Sequence, residues 1–321
     1  MTRYGTQEGA ARGYNPSKRG RASHHPLMAF VADTRMIANC WLRPGNSSAA
    51  NNVQGFLANT LHRLGGKPVC LLRADSGFSE SAFLDHLDQH PLHYIIALRQ
   101  NQPLQRALVN ATGWWGLHEE DGTPVEGIEL TRFTYQPAAW SKPRWVVGIR
   151  QHLTQRAEPK GKTLNLFAND PVMGQWRFSA VTTDLDLPAV AVWRLYRGRA
   201  DCENRLKELK YDFAADHFNM RDFWATEATL NTVMLAYNLM SLLRQVLLKG
   251  RAVTHASTSV QHRLQTLRYK LFAKAAYITT AGRKPILNLA MAMQQRAWMQ
   301  GLWDAAKTFE LPARFTPVYS P

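Results

Sequence analysis

Cysteine is scarce in this sequence, and long apolar runs are missing. The three cysteines, Cys40, Cys70 and Cys202, form no Cys-x-x-Cys pair, which excludes a zinc knuckle and a disulfide framework. We interpret all three as small core side chains. No stretch approaches the ~20 apolar residues that a membrane span requires, and the start lacks the apolar run of a signal peptide. We therefore expect a cytoplasmic protein with no membrane partner.

Acidic residues are also few compared with basic ones. The chain has 39 Lys and Arg against 24 Asp and Glu, a net charge of +15 in 321 residues. Such an excess predicts a polyanionic partner, most often nucleic acid, and binding that weakens steeply with salt. There is no His-Glu-x-x-His spacing and no glycine-rich phosphate loop, so the sequence gives no sign of a zinc protease or a P-loop enzyme.

Helices and apolar strands alternate in the first third of the chain. This alternation is typical of an α/β unit with parallel strands. Val69-Cys-Leu-Leu72 is a short buried strand, and Asp75 follows just beyond its end. The predicted strands are 25–32, 36–42, 69–72 and 93–98, and the predicted helices are 51–64 and 79–89.

The pattern changes after about residue 100. Strand-like runs separated by Pro and Gly predict a mostly antiparallel β insertion, with strands at 128–135, 144–149, 163–167 and 175–182. A long apolar helix is predicted at 224–248. A hairpin is predicted at 276–289, around Ala281 and Gly282, and a Pro-rich end follows.

The run from Tyr196 to Lys210 narrows the function most. Treated as one helix, it places Tyr196, Arg199, Glu203 and Lys210 within a sector of roughly 60°. The adjoining sector is apolar and is expected to be buried; it consists of Leu195, Cys202, Leu206 and Leu209. The alternative is an ordinary solvated helix, because oppositely charged pairs four residues apart are common there.

The spacing in this run resembles a known signature. Tyr, two residues, Arg, three residues, Glu, six residues, Lys is similar to the pattern around the last acidic residue of bacterial insertion-sequence transposases of the DDE type. Other motifs resemble that family in the same order: Tyr4-Gly-Thr-Gln-Glu-Gly9, Gly13-Tyr-Asn-Pro-Ser-Lys-Arg-Gly20, His24-His-Pro-Leu27, Leu42-Arg-Pro-Gly-Asn46 and Arg73-Ala-Asp-Ser-Gly-Phe78. The resemblance runs from about residue 3 to about residue 290.

The resemblance implies a fold and a reaction. The fold is α/β, a ribonuclease-H-like core interrupted by a mostly β insertion domain, with a helical C-terminal region. We expect the first part of the core at 1–100, the insertion at 101–182, the rest of the core at 183–250 and a tail at 251–321. The implied reaction is metal-dependent cleavage of DNA at insertion-sequence ends, followed by strand transfer.

The resemblance also implies the roles of individual residues. Asp75 and Glu203 are the expected catalytic carboxylates and metal ligands, holding two Mg²⁺ ions, with Mn²⁺ as a substitute. Carboxylates that follow buried strands suit this chemistry, although Asp75 could also simply close an Asx-turn. Arg199 and Lys210 are expected to bind phosphates, and Tyr196 to position the DNA backbone or a base.

A third carboxylate is missing from the pattern. In the family, the first Asp precedes the motif that here begins at Tyr4, and this sequence starts at Met1. We therefore expect an N-terminally truncated transposase that is inactive alone. Asp33 is the nearest substitute, but it matches no acidic motif. The alternatives are a non-catalytic DNA-binding remnant, which could inhibit an intact transposase, and a ribonuclease-H-like nuclease with another substrate.

The remaining expectations concern double-stranded DNA. A basic segment is predicted to bind phosphates, although it could instead be a solvated loop; its candidate residues are Tyr14, Lys18, Arg19, Arg21, His24 and His25. Related transposases stack a flipped base on an aromatic side chain of the insertion, and Trp140, Trp145 and Trp176 are all candidates. The family also implies a homodimer on paired DNA ends and a nucleoid-associated location.

Overall fold

The computed structural model describes residues 1–15, 18–153, 175–246 and 263–308. These residues form two compact units. The first unit comprises Met1–Ala29 and Ala38–Asn204, and the second comprises Phe30–Ile37 and the described residues from Arg205 onward. The strand predicted at 163–167 and the Pro-rich end lie outside the described residues.

Most of the predicted elements are confirmed, with ends shifted by a few residues. The strands are β1 (Ala11–Arg12), β2 (Ala22–Ser23), β3 (Leu27–Phe30), β4 (Ile37–Trp41), β5 (Leu71–Ala74), β6 (His93–Ala97), β7 (Trp115–His118), β8 (Pro124–Tyr135), β9 (Arg144–His152), β10 (Trp176–Thr183), β11 (Ala276–Ala281) and β12 (Lys284–Leu289). The helices are α1 (Val53–Arg63), α2 (Ser81–Leu87), α3 (Gln102–Asn110), α4 (Ala189–Arg197), α5 (Ala200–Tyr211), α6 (Phe223–Val246), α7 (Leu264–Leu267) and α8 (Met293–Thr308).

A six-stranded mixed sheet organises the first unit. Its strand order is β5-β6-β10-β9-β8-β7. Strands β5 and β6 are parallel, and every other neighbouring pair is antiparallel. The strands predicted for the β insertion therefore continue the same sheet as β5 and β6. The four-part division of the chain stays a prediction.

Helices cover both faces of this sheet. Side chains alternate along each strand, so neighbouring residues of β6 pack against helices on opposite faces. On one face, Tyr94 and Ile96 of β6 belong to a buried cluster with apolar residues of α1, α2 and α3. On the other face, Ile95 packs with Val192 of α4. All four side chains are almost fully buried. The result is a sheet that lies between two layers of helices. Asp75 comes directly after the carboxyl end of β5.

The prediction of one continuous signature helix was wrong. The run divides into α4 and α5, with a joint at Gly198 and Arg199. Leu195, which the single-helix interpretation placed on a buried face, is 38% exposed. The 3.6-residue periodicity continues across the joint in the sequence, so it does not reveal where the helix ends. Among the predicted apolar residues, Leu209 is the one that is fully buried.

The cysteines also differ from the expectation. Cys40 is buried within β4, as predicted, and Cys202 is partly exposed. Cys70 is exposed and lies outside β5, which begins at the next residue, Leu71, and not at residue 69 as predicted.

The second unit is built around α6. Asn238 of this helix accepts a hydrogen bond from the Ile37 backbone N–H at 2.7 Å and donates one to the Ile37 carbonyl at 2.9 Å. Near the end of the helix, buried Arg244 pairs with buried Glu208 of α5. Strands β11 and β12 form the predicted hairpin. No helix in the described part of the chain is both long and apolar enough to cross a bilayer.

Candidate active site

Asp75 lies at the carboxyl edge of the two parallel strands, directly after β5. Its Oδ1 accepts a hydrogen bond from the Gly77 backbone N–H at 2.9 Å, so the side chain caps a short 3₁₀ turn at Ser76–Phe78. The Asx-turn expected as an alternative is thus present. It does not prevent metal binding, because it uses one carboxylate oxygen and the side chain remains exposed.

Gly77 allows this turn to form. A Cβ atom at this position would lie 2.7 Å from the Ala49 Cβ and 3.0 Å from the Asp75 Oδ1. Real Cβ contacts are not this short, so a side chain at position 77 would displace the carboxylate or the neighbouring backbone. The glycine therefore keeps the Asp75 side chain in its observed position.

The second acidic residue is in the first turn of α5. Glu203 accepts a hydrogen bond from the Arg199 Nη2 at 2.9 Å, and its side chain is 58% exposed. An acidic side chain suits a helix N-terminus, where the helix dipole is positive. The Arg199 guanidinium also lies 5.6 Å from the centre of the Tyr196 ring. Three of the four signature residues are therefore close together across the joint between α4 and α5.

The Tyr196 hydroxyl has a shifted pKa. Burial raises the pKa of the Tyr196 hydroxyl; the Arg199 charge acts to lower it, and the Asp75 and Glu203 charges raise it again. The pKa of Arg199 is raised as well: burial alone would lower it, but its contacts with Tyr196 and Glu203 outweigh that effect.

Arg73, two residues before Asp75, joins β5 to the helix joint. Its Nη1 donates a hydrogen bond to the Leu195 carbonyl oxygen in the last turn of α4, at 2.7 Å. A guanidinium at this place complements the negative end of the helix dipole. Sequence reasoning used the motif around Arg73 only to locate Asp75 and missed this role.

The two carboxylates fit a hard divalent cation. Mg²⁺ is often bound by one or two carboxylates, with waters and substrate phosphates completing its shell. Asp75 and Glu203 supply exposed oxygen ligands of this kind. Within the described residues no three His, Cys, Asp or Glu side chains form a metal-binding group. Asp33 is exposed in the turn between β3 and β4 and belongs to the second unit.

The predicted DNA-binding residues differ in their exposure. Tyr14 is 79% exposed, and Lys18, Arg19 and Arg21 are also exposed. Lys210 is exposed in the last turn of α5. These five side chains are available to phosphates.

His24 requires a correction. The residue is fully buried: its Nε2 lies 2.9 Å from the Glu8 carbonyl oxygen, and its Nδ1 accepts a hydrogen bond from the Arg3 Nε at 3.1 Å. Both ring nitrogens are thus used inside the protein, and His24 is left out of the DNA contacts proposed below. His25 is half-buried, and this burial lowers the pKa of its imidazole.

The three candidate tryptophans also differ in exposure. Trp140 is buried, with its ring 5.6 Å from that of Tyr135, and Trp176 is partly buried. Trp145 is 41% exposed, and the Arg132 guanidinium lies 3.9 Å from the centre of its ring. Trp145 is therefore the most accessible of the three.

Comparison with known proteins agrees with this geometry. A search among curated proteins finds no match. A family model described as the transposase DDE domain, group 1, matches residues 1–308. The two carboxylates and this match over nearly the whole chain lead to one conclusion: the chain belongs to the DDE-domain transposase family.

Proposed function

We propose that this transposase cleaves DNA at the ends of an insertion sequence and joins the cut ends to a target, using divalent metal ions. The observation that carries the proposal is the 2.7 Å hydrogen bond from Arg73 to the Leu195 carbonyl. It ties the carboxyl edge of the parallel strands, where Asp75 lies, to the joint that holds Tyr196, Arg199 and Glu203. Ligand sites in α/β sheets gather at this edge.

Each site residue has a distinct proposed role. Asp75 and Glu203 would hold Mg²⁺, or Mn²⁺ in its place. The chemistry that such an ion would supply is activation of the attacking oxygen and stabilisation of the leaving one. Arg199 orients the Glu203 carboxylate through their 2.9 Å hydrogen bond. The Tyr196 hydroxyl is protonated at neutral pH, as any tyrosine with an unshifted or raised pKa is, so it can donate a hydrogen bond to a DNA phosphate.

The exposed basic residues are proposed to bind the DNA backbone. Lys18, Arg19 and Arg21 are exposed, with Tyr14 beside them, and Lys210 adds a charge at the end of α5. The net charge of +15 favours binding to phosphates throughout. Trp145 is the proposed stacking residue because of its exposure. A homodimer on paired ends and a nucleoid-associated location in the cytoplasm also remain part of the proposal.

A cleavage assay tests the reaction. The purified chain is incubated with Mg²⁺ and a plasmid that carries the element with its own ends. Asp75→Asn and Glu203→Gln should abolish cleavage while leaving DNA affinity nearly unchanged. Glu126→Gln removes an exposed carboxylate from β8 and serves as the control. Cleavage that persists in both site variants would overturn the assignment.

A second candidate function is DNA binding without catalysis. It is favoured by the finding that no third carboxylate joins Asp75 and Glu203 in the part of the chain that the structure describes. Such a protein would occupy insertion-sequence ends and inhibit an intact transposase. Binding without cleavage in either Mg²⁺ or Mn²⁺ would support this candidate. Cleavage of unrelated RNA–DNA hybrids would instead indicate a ribonuclease-H-like nuclease.

A further inference from the structure

Two histidines on the first unit lie unusually close together. His86 is in the last turn of α2, and His90 follows four residues later, just beyond the helix. Their Nε2 atoms are 3.0 Å apart, and their ring centres are 4.5 Å apart. Both side chains are partly buried. This contact is a hydrogen bond when one Nε2 carries a proton and the other offers its lone pair.

The surroundings restrict both rings. The Phe83 ring stacks against His86, with centres 6.5 Å apart and planes at 21°. Burial, with a further contribution from the His90 charge, lowers the pKa of His86, so this ring is neutral at neutral pH. A neutral, oriented imidazole is the form that binds metals.

We propose that His86 and His90 form a binding site for a borderline divalent transition-metal ion, namely Ni²⁺, Cu²⁺ or Zn²⁺. Imidazole nitrogens bind such ions at about 2.0–2.1 Å. Two nitrogens 3.0 Å apart then subtend an angle of about 95° at the metal. That is the angle between neighbouring positions in square-planar or octahedral coordination, which Cu²⁺ and Ni²⁺ prefer.

Metal binding at this site requires no net loss of a proton. The imidazole that donates the present hydrogen bond moves its proton from Nε2 to Nδ1, which leaves both Nε2 lone pairs free for the metal. The nearest acidic residues on α2 are already used: Asp85 and Asp88 both pair with Arg144. Water is therefore expected to fill the remaining coordination positions.

The site is separate in chemistry from the carboxylate pair. Asp75 and Glu203 offer oxygen ligands suited to Mg²⁺, whereas the histidines offer nitrogen ligands suited to softer ions. The inference goes beyond the proposed transposase function and does not depend on it. A failure of DNA cleavage would leave it unaffected.

Calorimetric titration of the full chain with Ni²⁺, in excess Mg²⁺ to occupy oxygen sites, tests the inference. His86→Ala and His90→Ala should each weaken Ni²⁺ binding at least tenfold. The control is His62→Ala, an exposed histidine in the last turn of α1, which should bind within twofold of the parent chain. Equal binding by all four proteins, or no binding by the parent chain, would overturn the proposal.

Thermal unfolding provides a second measurement that does not rely on one variant. Ni²⁺ should raise the melting temperature of the parent chain and of His62→Ala, because a ligand that binds only the folded state stabilises it. It should not raise that of His90→Ala, which alters a residue outside the helix and so leaves α2 intact. A metal-induced shift of the same size in His90→Ala would contradict the site.

Discussion

The Arg73 Nη1 occupies the space where a side chain at Gly198 would begin. A Cβ atom built on Gly198 would stand 2.3 Å from this nitrogen, which also donates the hydrogen bond to the Leu195 carbonyl. The glycine at the joint and the arginine on β5 are therefore fitted to each other. Through this contact, β5, which Asp75 follows directly, is connected to the joint between Tyr196 and Glu203.

Gly198→Ala should destabilise the first unit by about 0.5–1.5 kcal/mol, because the added methyl group displaces the flexible end of the Arg73 side chain and breaks its hydrogen bond to the Leu195 carbonyl. The backbone at Gly198 is right-handed helical, so strain from a positive φ does not contribute. The measurement is urea unfolding of Gly198→Ala, Arg73→Ala and the double variant. We expect strong non-additivity, because removing Arg73 also removes the clash.

Gly55→Ala is the matched control for this experiment. Gly55 lies inside α1, and an added Cβ would be 3.6 Å from the Trp41 ring, an ordinary contact. This substitution should stabilise the protein by about 0.5–1 kcal/mol. Simple addition of the Arg73→Ala and Gly198→Ala effects would show that the two residues do not interact.

Removal of three charges from the basic segment should change how DNA binding responds to salt. The triple variant Lys18→Ala, Arg19→Ala, Arg21→Ala should reduce the slope of log affinity against log salt by about 2.7 if each cation meets one phosphate. Fluorescence anisotropy with a DNA duplex over a range of salt gives this slope.

A second triple variant controls for net charge. It removes the same number of charges elsewhere in the first unit, at Arg63, Lys67 and Arg106, all of which are exposed. Its slope should stay near that of the parent chain. Equal slopes for both triple variants would show that the basic segment has no special place in DNA binding.

Stability should fall in mild acid because of His24. Burial lowers the pKa of His24 in the folded chain, and the Arg3 charge acts in the same direction. As the pH falls below the ordinary histidine value of 6.5, the unfolded chain therefore takes up a proton before the folded chain does. The stability that the neutral ring contributes is complete above that value and is lost below it, by at most about 1.4 kcal/mol per pH unit.

His24→Gln should flatten part of this pH dependence. The free energy of unfolding in urea is measured for the parent chain and the variant on both sides of the histidine pKa. His25 and His86 also have lowered pKa values, so some dependence on pH will remain. The exposed control His62→Gln should keep the full slope, and an unchanged slope in His24→Gln would refute the assignment.

In the second unit, breaking the Glu208–Arg244 pair should lower the free energy of unfolding substantially. The side chains are 8% and 4% exposed, and Glu208 also accepts a hydrogen bond from the Leu264 backbone N–H at 2.8 Å. Glu208→Ala or Arg244→Ala leaves one charge buried alone and should cost about 3–5 kcal/mol. The double variant Glu208→Leu, Arg244→Met should be closer to the parent chain, because no uncompensated charge remains.

An exposed pair in the same unit gives the contrast. Lys307 lies 4.0 Å from Asp304, and both side chains are about three-fifths exposed. Lys307→Ala should change stability by no more than about 0.5 kcal/mol. If this change matched that of Arg244→Ala, burial would not be the reason for the difference between the two pairs.

The features that the sequence predicted correctly are those with local signals. Apolar periodicity located α1, apolar composition located α6, and the short apolar run before Asp75 placed that residue at a strand end. A Gly beside Ala281 located the turn of the C-terminal hairpin. Each of these signals lies within a few residues of the feature it predicts.

The features that were missed depend on contacts between distant residues. The helix ends at Gly198 beside Arg73, which lies more than a hundred residues earlier, so local periodicity could not reveal the joint. His24 sits among basic residues and suggested a surface, yet Arg3 and Glu8 enclose it. A buried, fully bonded histidine and an exposed one look the same in a sequence.

The pairing of β10 with β6 limits how this protein can be dissected. Thr182 and Thr183 of β10 lie opposite Ile96 and Ile95 of β6, in the interior of the sheet. A shortened version that lacks residues 101–182 would leave the backbone groups of β6 unpaired along one whole side, which invites aggregation. The strands predicted for the insertion are thus part of the scaffold of the first unit, and their removal would open its sheet.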